Sequence, residues 1–346
     1  MKIFDFRKLP CGVRVAGTGA YLPERRVSNA DISALGCPMT PEEIEKGLGI
    51  VERRWSSSEQ ASSDLAAAAC AQALRRAGVA AVDVARLIVA TVTPDHPSPS
   101  TACFVHAQLQ MGAAPAYDIT ATCTGFIYAM DQGVRAVLTG EGNTLVCAAD
   151  TRSKFIDAKD RASAPVFGDG AGAALLEPCT QGHGVLGLGV FADSRGRHSV
   201  YIPAGGSRAP MTEERVRAGE HHVRMTSGPE AYLAVIEGMV LTAEQLLEGL
   251  SLTIDDIALV VPHQANGRVL ARLARLLRCG EDKIFRNVSH YGNMSGAATA
   301  VAFHEALASG HLRAGDKLLL VAGGAGYTAG GLVVQVDEAL LERAKT

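Results

Sequence analysis

The sequence predicts an α/β protein that is built from two similar halves. Short apolar segments that suit buried strands alternate with helical patterns along the whole chain, which is typical of layered α/β folds. The order of these segments in the first half recurs in the second half. Of the 346 residues, 47% are hydrophobic and only 5% are aromatic. A large core must therefore be made from small side chains, which allow close packing of helices on sheets.

The first half alternates strands and helices. We expect strands at 13–22, 87–92, 114–119 and 144–149, and helices at 30–34, from 41, from 62 or 63 up to Gly78, at about 101–110 and at 125–138. Asn29 is the candidate N-cap of the first helix, and Pro41 opens the second by the rule that proline favours the first helical position. Gly78 ends the third helix.

The second half repeats this alternation. We expect strands at 257–262, around 283–287, at 317–322 and at 331–336, with helices after residue 266 and at 297–307. Between the halves, the segment 194–227 is polar and rich in glycine, arginine and histidine, without a clear period. We expect this segment to be a long surface loop or a flap over a site.

Matched separations indicate an internal duplication of one α/β unit. Cys123 lies 29 residues after Pro94, and Asn293 lies 31 residues after Pro262. Strand ends from the two halves would then converge on a shared pseudo-two-fold axis, and α/β proteins place their sites in loops beyond strand ends. We therefore divide the chain into an N-terminal half at 11–178 and a C-terminal half at 182–337.

Composition excludes several classes of function. The net charge of −3 provides no broad basic field, so we expect no nucleic-acid partner. No stretch approaches the run of about 18 apolar residues that a membrane span needs, and the first ten residues carry charges where a signal peptide is apolar. We therefore expect a cytoplasmic protein with no membrane partner. The eight cysteines form no C-x-x-C pair, which argues against zinc and against a disulfide framework.

Cys123 is the candidate nucleophile. It lies in the stretch Y-D-I-T-A-T-C-T-G-F, at the turn between a predicted strand and a predicted helix. Unpaired N–H groups and the positive end of the helix dipole favour a thiolate there, and the thiolate is the reactive form. The alternative is an inert core residue, because free cysteine is among the most buried residue types.

His263 and Asn293 lie in two further loops of the second half. A cysteine can accept an acyl group as a thioester, while a histidine and an asparagine can each donate a hydrogen bond to a thioester oxygen. Two such donors would stabilise an enolate as it forms. Taken singly, His263 can be a hydrogen-bonded structural histidine and Asn293 an ordinary turn residue. Their joint placement with Cys123 in matched repeats favours the catalytic interpretation.

Five motifs identify a family resemblance. They are A-T-C-T-G-F, F-G-D-G-A-G-A at 167–173, V-P-H-Q-A-N at 261–266, Y-G-N-M-S-G-A at 291–297 and G-G-A-G-Y-T-A-G-G. They closely resemble β-ketoacyl-acyl-carrier-protein synthase III, a condensing enzyme of the thiolase-like superfamily, and the resemblance runs from about residue 13 to 336. It implies a duplicated, five-layered α-β-α-β-α fold and a homodimer, with 101–110 close to the partner subunit.

The resemblance also implies roles for the candidate residues. Cys123 would be acylated, while His263 and Asn293 would promote decarboxylation of a malonyl thioester and stabilise its enolate. Backbone N–H groups of Cys123 and of the turn centred on Ala325 would form the oxyanion hole. The substrates would be thioesters of coenzyme A or of acyl carrier protein, and no metal or redox cofactor is implied.

Substrate-binding residues follow from the same resemblance. Arg161 occupies a place where the family grips coenzyme A phosphates, and Asn266 of the V-P-H-Q-A-N motif joins this set. Two positions depart from the pattern. Ile44 stands where many members stack a tryptophan on adenine, the only tryptophan being Trp55, and Ser98 stands where an aromatic often closes the acyl pocket. Both departures favour a specialised member that uses carrier-bound or bulkier acyl groups.

Three arginines suggest a docking surface for the carrier protein. Arg268, Arg272 and Arg275 fall on the face of a predicted helix opposite its leucines. Such a face is alternatively only solvated. Beside a site whose substrates ride on an acidic carrier protein, we interpret it as the docking face, as the resemblance also implies.

We conclude that the sequence predicts a condensing acyltransferase of fatty acid or specialised-metabolite (polyketide) biosynthesis. It would load an acyl group on Cys123 and join it to a malonyl thioester by decarboxylative Claisen condensation. One alternative is an acyltransferase of the same fold that forms an ester or amide, with His263 as general base. Another is a noncatalytic subunit of a condensing complex.

Overall fold

The fold is built on a mixed β-sheet of ten strands. The computed structural model describes residues 1–9, 11–180, 182–226 and 228–345. The strands, including two small separate ladders, are β1 (Phe4–Asp5), β2 (Gly12–Tyr21), β3 (Arg25–Ser28), β4 (Glu52–Trp55), β5 (Arg86–Ala90), β6 (Ala116–Ile119), β7 (Thr144–Thr151), β8 (Asp169–Cys179), β9 (Gly184–Ala192), β10 (Val200–Tyr201), β11 (Arg224–Met225), β12 (Leu259–Pro262), β13 (Lys317–Gly324) and β14 (Thr328–Gln335). The helices are α1 (Asn29–Ala34), α2 (Pro41–Leu48), α3 (Ser62–Ala77), α4 (Thr101–Gln108), α5 (Gly125–Leu138), α6 (Glu213–Arg217), α7 (Gly228–Gly249), α8 (Gly267–Leu276), α9 (Val288–Tyr291), α10 (Ala297–Ala308) and α11 (Glu338–Lys345). Among the described residues, no helix combines the length and the apolar character that a membrane crossing requires.

The strand order repeats between the two halves. The first half pairs as β6-β5-β7-β8-β2 and the second as β12-β13-β14-β9, with an isolated bridge between Val260 and Ile284 in the place that β6 holds in the first half. Parallel and antiparallel pairs also follow the same sequence in both halves. The halves join through one parallel pair, Val13 with Gly184. The duplication is thus visible in the topology, while the boundaries 11–178 and 182–337 stay a prediction.

Helices cover both faces of each half and create five layers. In β5, Ile88 and Ala90 point toward the central helices α5 and α10, while Leu87 and Val89 point toward α3. This alternation is the period of two that a strand imposes on its side chains. On the other half, α7 and α8 pack on the outer face of β12 and β13. The layers are therefore α3 and α4, sheet, α5 and α10, sheet, α7 and α8.

Most predicted elements are confirmed, and two details are wrong. The N-cap of α1 is Ser28, which forms a capping box with Asp31, so Asn29 is already helical. The strand predicted around 283–287 is absent, because Glu281–Lys283 forms a 3-10 helix and only Ile284 makes a bridge. The sequence did not reveal β8, because its glycines and alanines are poor strand formers.

The segment 194–227 crosses a cavity rather than lying only on the surface. It contains β10, α6 and β11, and β10 pairs with β11 through Val200 and Met225. Both residues line the cavity described below. This favours the flap over the surface-loop interpretation; Ser227 lies outside the described residues.

Gly172 of β8 packs closely against α10, so a substitution at Gly172 tests the packing of the central layer. A Cβ added there would lie 2.5 Å from the Cβ and 2.7 Å from the carbonyl carbon of Ala300 in α10. We expect Gly172→Ala to lower the free energy of unfolding by about 1–3 kcal/mol, because neither backbone can move away cheaply. Gly47→Ala is the control, since a Cβ there would meet no atom within 4 Å. In α2 that change is expected to stabilise by up to about 1 kcal/mol. Chemical denaturation measures both, and a neutral Gly172→Ala variant would contradict the tight contact.

Candidate active site

One cavity of about 490 Å³ is lined by polar side chains from both halves of the fold. Cys123, His263 and Asn293 all line it, so the structure brings the three predicted catalytic side chains into one chamber. Cys123 comes from the first half, while the other two come from the second half. The duplicated topology therefore builds the site between its two copies.

A strained turn holds Cys123 at the cavity wall. Cys123 belongs to the 3-10 helix Thr122–Thr124, directly before α5. Thr122 has a φ of 49°, a left-handed conformation that is costly for a β-branched residue and typical of functional turns. Its hydroxyl donates a hydrogen bond to the carbonyl of Ala325 at 3.1 Å. A Cβ at Gly324 would lie 3.0 Å from the backbone nitrogen of Cys123, so only glycine lets the two turns approach this closely.

The ionisation of Cys123 differs from the expectation. Burial raises the pKa of Cys123 to about 11. The Arg152 guanidinium and a hydrogen bond from Ser295 act in the opposite direction and lower this pKa, whereas the Asp150 carboxylate raises it. A backbone hydrogen bond at the helix start lowers this pKa, in the predicted direction, but loss of hydration outweighs this effect and the nearby positive charge, so the net shift is upward. At neutral pH the group rests as a thiol.

His263 is an uncharged hydrogen-bond donor or acceptor. It follows β12, and its backbone N–H donates to the carbonyl of Val321 at 2.8 Å. The side chain is 1% exposed, and burial lowers the pKa of His263 to about 4. Its Nδ1 is buried and has no hydrogen-bond partner among the described residues. At neutral pH the ring is therefore neutral, with one N–H to donate.

The Asn293 amide is oriented by its neighbours. Its backbone N–H donates to Val166 at 2.9 Å, and its carbonyl accepts from Gly168 at 3.1 Å. The side-chain Oδ1 accepts the N–H of Ser295 at 2.8 Å. Because the Oδ1 atom accepts this hydrogen bond, the orientation of the amide is fixed and its NH₂ group is available as a donor at the cavity wall.

The other predicted site residues divide into two groups. Ala325 and Asn266 line the cavity, and the Oδ1 of Asn266 caps α8 by accepting the N–H of Val269 at 2.9 Å. Arg161 is exposed beside the lining residue Ala162, and Ser98 lies in an exposed loop outside the cavity lining. The roles of these residues stay predictions.

The two departures from the family pattern have structural consequences. Ile44 is fully buried in the core under α2, so it presents no stacking surface. Trp55 is 8% exposed, and its indole N–H donates to the carbonyl of Phe167 at 3.1 Å. Trp55 therefore supports the cavity wall from behind and does not substitute for a surface tryptophan.

The three arginines of the predicted docking face are exposed. Arg268, Arg272 and Arg275 project from α8, whose opposite face is buried through Leu270 and Leu273. The N-terminal end of α8 reaches the cavity through Val269. The basic face thus lies along the helix that begins at the site.

Arg152 is the main site residue that sequence reasoning missed. It follows β7 directly, is 6% exposed and lines the cavity with Cys123. Its guanidinium carbon lies 4.7 Å from the centre of the Phe167 ring. Among the described lining residues it is the only one with a permanent charge. Its position just after a buried strand, like that of His263, was the signal that could have found it.

Comparisons with known proteins identify similar sequences and structures. The family model described as 3-oxoacyl-[acyl-carrier-protein (ACP)] synthase III matches residues 117–194, and its C-terminal model matches 247–336. A β-ketoacyl-[acyl-carrier-protein] synthase III of Caldanaerobacter subterraneus is 41% identical over 322 residues, which cover 93% of this chain and 97% of the relative.

Solved structures show the same fold. The 3-oxoacyl-[acyl-carrier-protein] synthase III of Aquifex aeolicus is similar with a TM-score of 0.86 and 32% identity, covering 94% of this chain and 100% of that one. The priming β-ketosynthase of the R1128 polyketide biosynthetic pathway also has a TM-score of 0.86, with 28% identity over 94% of this chain and 96% of that one.

Proposed function

Because the chain belongs to the 3-oxoacyl-[acyl-carrier-protein] synthase III family, we propose that Cys123, His263 and Asn293 carry its condensing reaction. The protein is an acyl-transferring condensing enzyme of fatty acid or polyketide biosynthesis. The observation that carries the assignment of residues is that all three side chains line one cavity.

In the first half-reaction Cys123 accepts the acyl group. Its sulfur attacks the carbonyl carbon of an acyl thioester, a new C–S bond forms, and the bond to the donor thiol breaks. The proton of the resting Cys123 thiol passes to the departing donor sulfur. The N–H groups of Cys123 and Ala325, which both line the cavity, would hold the negative oxygen of the tetrahedral intermediate.

In the second half-reaction a malonyl thioester replaces the donor. Its C–C bond to the carboxylate breaks, carbon dioxide leaves, and the electron pair forms an enolate. The neutral N–H of His263 and the NH₂ of Asn293 would stabilise the enolate oxygen as it develops. The enolate carbon then attacks the acyl carbonyl, and the Cys123 sulfur leaves.

The alternative of ester or amide formation has weaker support. That reaction needs His263 as a general base, and a base works best when its pKa is close to the working pH. Burial lowers the pKa of His263 to about 4, which suits a neutral donor and makes proton abstraction at neutral pH weak. The site therefore favours carbon–carbon bond formation.

Product analysis tests this choice. With an acyl thioester and malonyl carrier protein, we expect mass spectrometry to detect a β-ketoacyl product and released carbon dioxide. A panel of alcohols and amines, offered without the malonyl substrate, serves as the control and is expected to yield no ester or amide above background. Acyl transfer to the panel without β-ketoacyl product would overturn the proposal.

We extend the proposal to the partners. The carrier protein would dock on Arg268, Arg272 and Arg275, whose exposed guanidinium groups suit an acidic surface beside the cavity. Either coenzyme A or the carrier would deliver the acyl group, with Arg161 near the cavity mouth. The enzyme would act as a cytoplasmic homodimer, with α4 close to the partner subunit.

A further inference from the structure

Arg152 has unused hydrogen-bond donors inside the cavity. Its side chain makes no hydrogen bond and no ion pair with any residue that the structure describes. The Nε atom is buried without a partner, and the guanidinium stacks on Phe167. The buried carboxylates of Asp150 and Asp169 stabilise the positive charge of Arg152 at longer range, but its guanidinium N–H groups have no acceptor among the described residues. Because buried donors without acceptors are costly, these N–H groups are suited to a bound anionic ligand.

The two buried carboxylates near Arg152 do not accept hydrogen bonds from its guanidinium. Asp150 accepts the N–H groups of Val92 at 2.8 Å and of Gly296 at 3.1 Å. Asp169 accepts the N–H groups of Ser56 at 2.7 Å and of Ser153 at 2.8 Å. Hydroxyl donors add further hydrogen bonds to both carboxylates. Their oxygens are thus committed to other donors, and neither forms an ion pair with Arg152.

The cavity that Arg152 lines suits an alkyl chain that ends in an anion. Val166, Phe167, Val200 and Val223 line the same cavity and provide apolar surface. The planar guanidinium matches a carboxylate through two parallel hydrogen bonds. We infer that Arg152 binds a carboxylate on the acyl group that Cys123 accepts, so that the donor is a monothioester of a dicarboxylic acid. This inference rests on the proposed function of Cys123.

An alternative ligand for Arg152 is the carboxylate of the malonyl substrate. That carboxylate must leave as carbon dioxide, and an ion pair with Arg152 would stabilise the ground state and slow its loss. The acyl donor has no such conflict, because its distal carboxylate is unchanged by the reaction. The acyl group is therefore the source that the chemistry favours.

The test compares charged and neutral acyl donors of equal shape. Succinyl, glutaryl and adipoyl thioesters of coenzyme A are each paired with the thioester of the corresponding monoamide, and acylation of Cys123 is followed by intact-protein mass spectrometry. We expect at least one charged donor to react about 10–100-fold faster than its amide, the factor that a charge-assisted hydrogen bond provides. Arg152→Leu should reverse this preference and retain acylation by the neutral donors. Lys154→Leu removes an exposed charge outside the cavity lining and should leave the ratio unchanged.

Three outcomes would overturn the inference. One is wild-type protein that reacts equally with both donors of every pair. Because Arg152 lowers the pKa of Cys123, Arg152→Leu is expected to shift the pH profile of Cys123 alkylation upward in any case. The second overturning outcome is therefore an Arg152→Leu variant that slows the charged and the neutral donor of every pair by the same factor, which would mean that Arg152 acts only on the thiol. The third is a variant that loses only malonyl turnover, which would assign the carboxylate to the malonyl substrate.

Failure of the proposed function has a separate signature. If no thioester labels Cys123, the proposed function is wrong, and binding of monomethyl glutarate and methyl pentanoate by calorimetry still tests the carboxylate site. Tighter binding of monomethyl glutarate that Arg152→Leu abolishes would support the site. Equal binding of the two esters would overturn it.

Discussion

Cys123→Ala is expected to abolish covalent uptake of the acyl group. Alanine keeps the strained turn at Thr122–Thr124 but removes the sulfur that forms the acyl bond. Loss of a covalent nucleophile typically lowers turnover by factors of about 10⁴–10⁶. Incubation with a radiolabelled acyl thioester, followed by denaturing electrophoresis, measures the labelled fraction.

Cys103→Ala is the matched control, because Cys103 is exposed on α4 and does not line the cavity. This variant should label like the wild type. Cys123→Ala should also retain slow decarboxylation of the malonyl thioester, since His263 and Asn293 remain in place. Persistent labelling of Cys123→Ala would reject the nucleophile.

Asn293→Ala is expected to separate the two half-reactions. Acylation of Cys123 should continue, while decarboxylative condensation should fall by about 10²–10³-fold because one donor to the enolate oxygen is lost. That factor corresponds to roughly 3 kcal/mol of transition-state stabilisation. Single-turnover acylation and release of labelled carbon dioxide measure the two steps independently.

Asn293→Asp distinguishes loss of the side-chain hydrogen-bond donor from disruption of the local backbone turn. Aspartate keeps the oxygen that accepts the N–H of Ser295, so the local backbone should be preserved, but it has no N–H to donate. We expect this variant to lose condensation at least as strongly as Asn293→Ala. An equal loss of acylation and condensation in both variants would contradict the division of labour.

Local patterns predicted much of the fold. The helix expected at 125–138 is α5 at those residues, because its apolar period and its glycine start are local features. The repeat of strands and loops also predicted that Cys123, His263 and Asn293 would meet, and they line one cavity. β8 was missed because its glycines and alanines serve contacts with α10 rather than a local strand preference.

Long-range packing decided the electrostatics of the site. The helix start beside Cys123 predicted a lowered pKa, yet burial raises it to about 11. Arg152 was missed although it directly follows a strand, because that position indicates a site residue only when its hydrogen-bond partners are also known. Its unused donors become visible only when Asp150, Asp169 and Phe167 are placed around it.

The sequence by itself determined the family, the duplicated fold and the identity of the three predicted catalytic side chains. The reason is that sequence motifs, strand periodicity and turn chemistry depend on residues that are close together in the chain. Only the tertiary structure decided which protonation states Cys123 and His263 adopt and that Arg152 lines the cavity without a hydrogen bond or ion pair to any described residue. Hydration and charge at a buried atom depend on residues far apart in the chain, so no local pattern contains them.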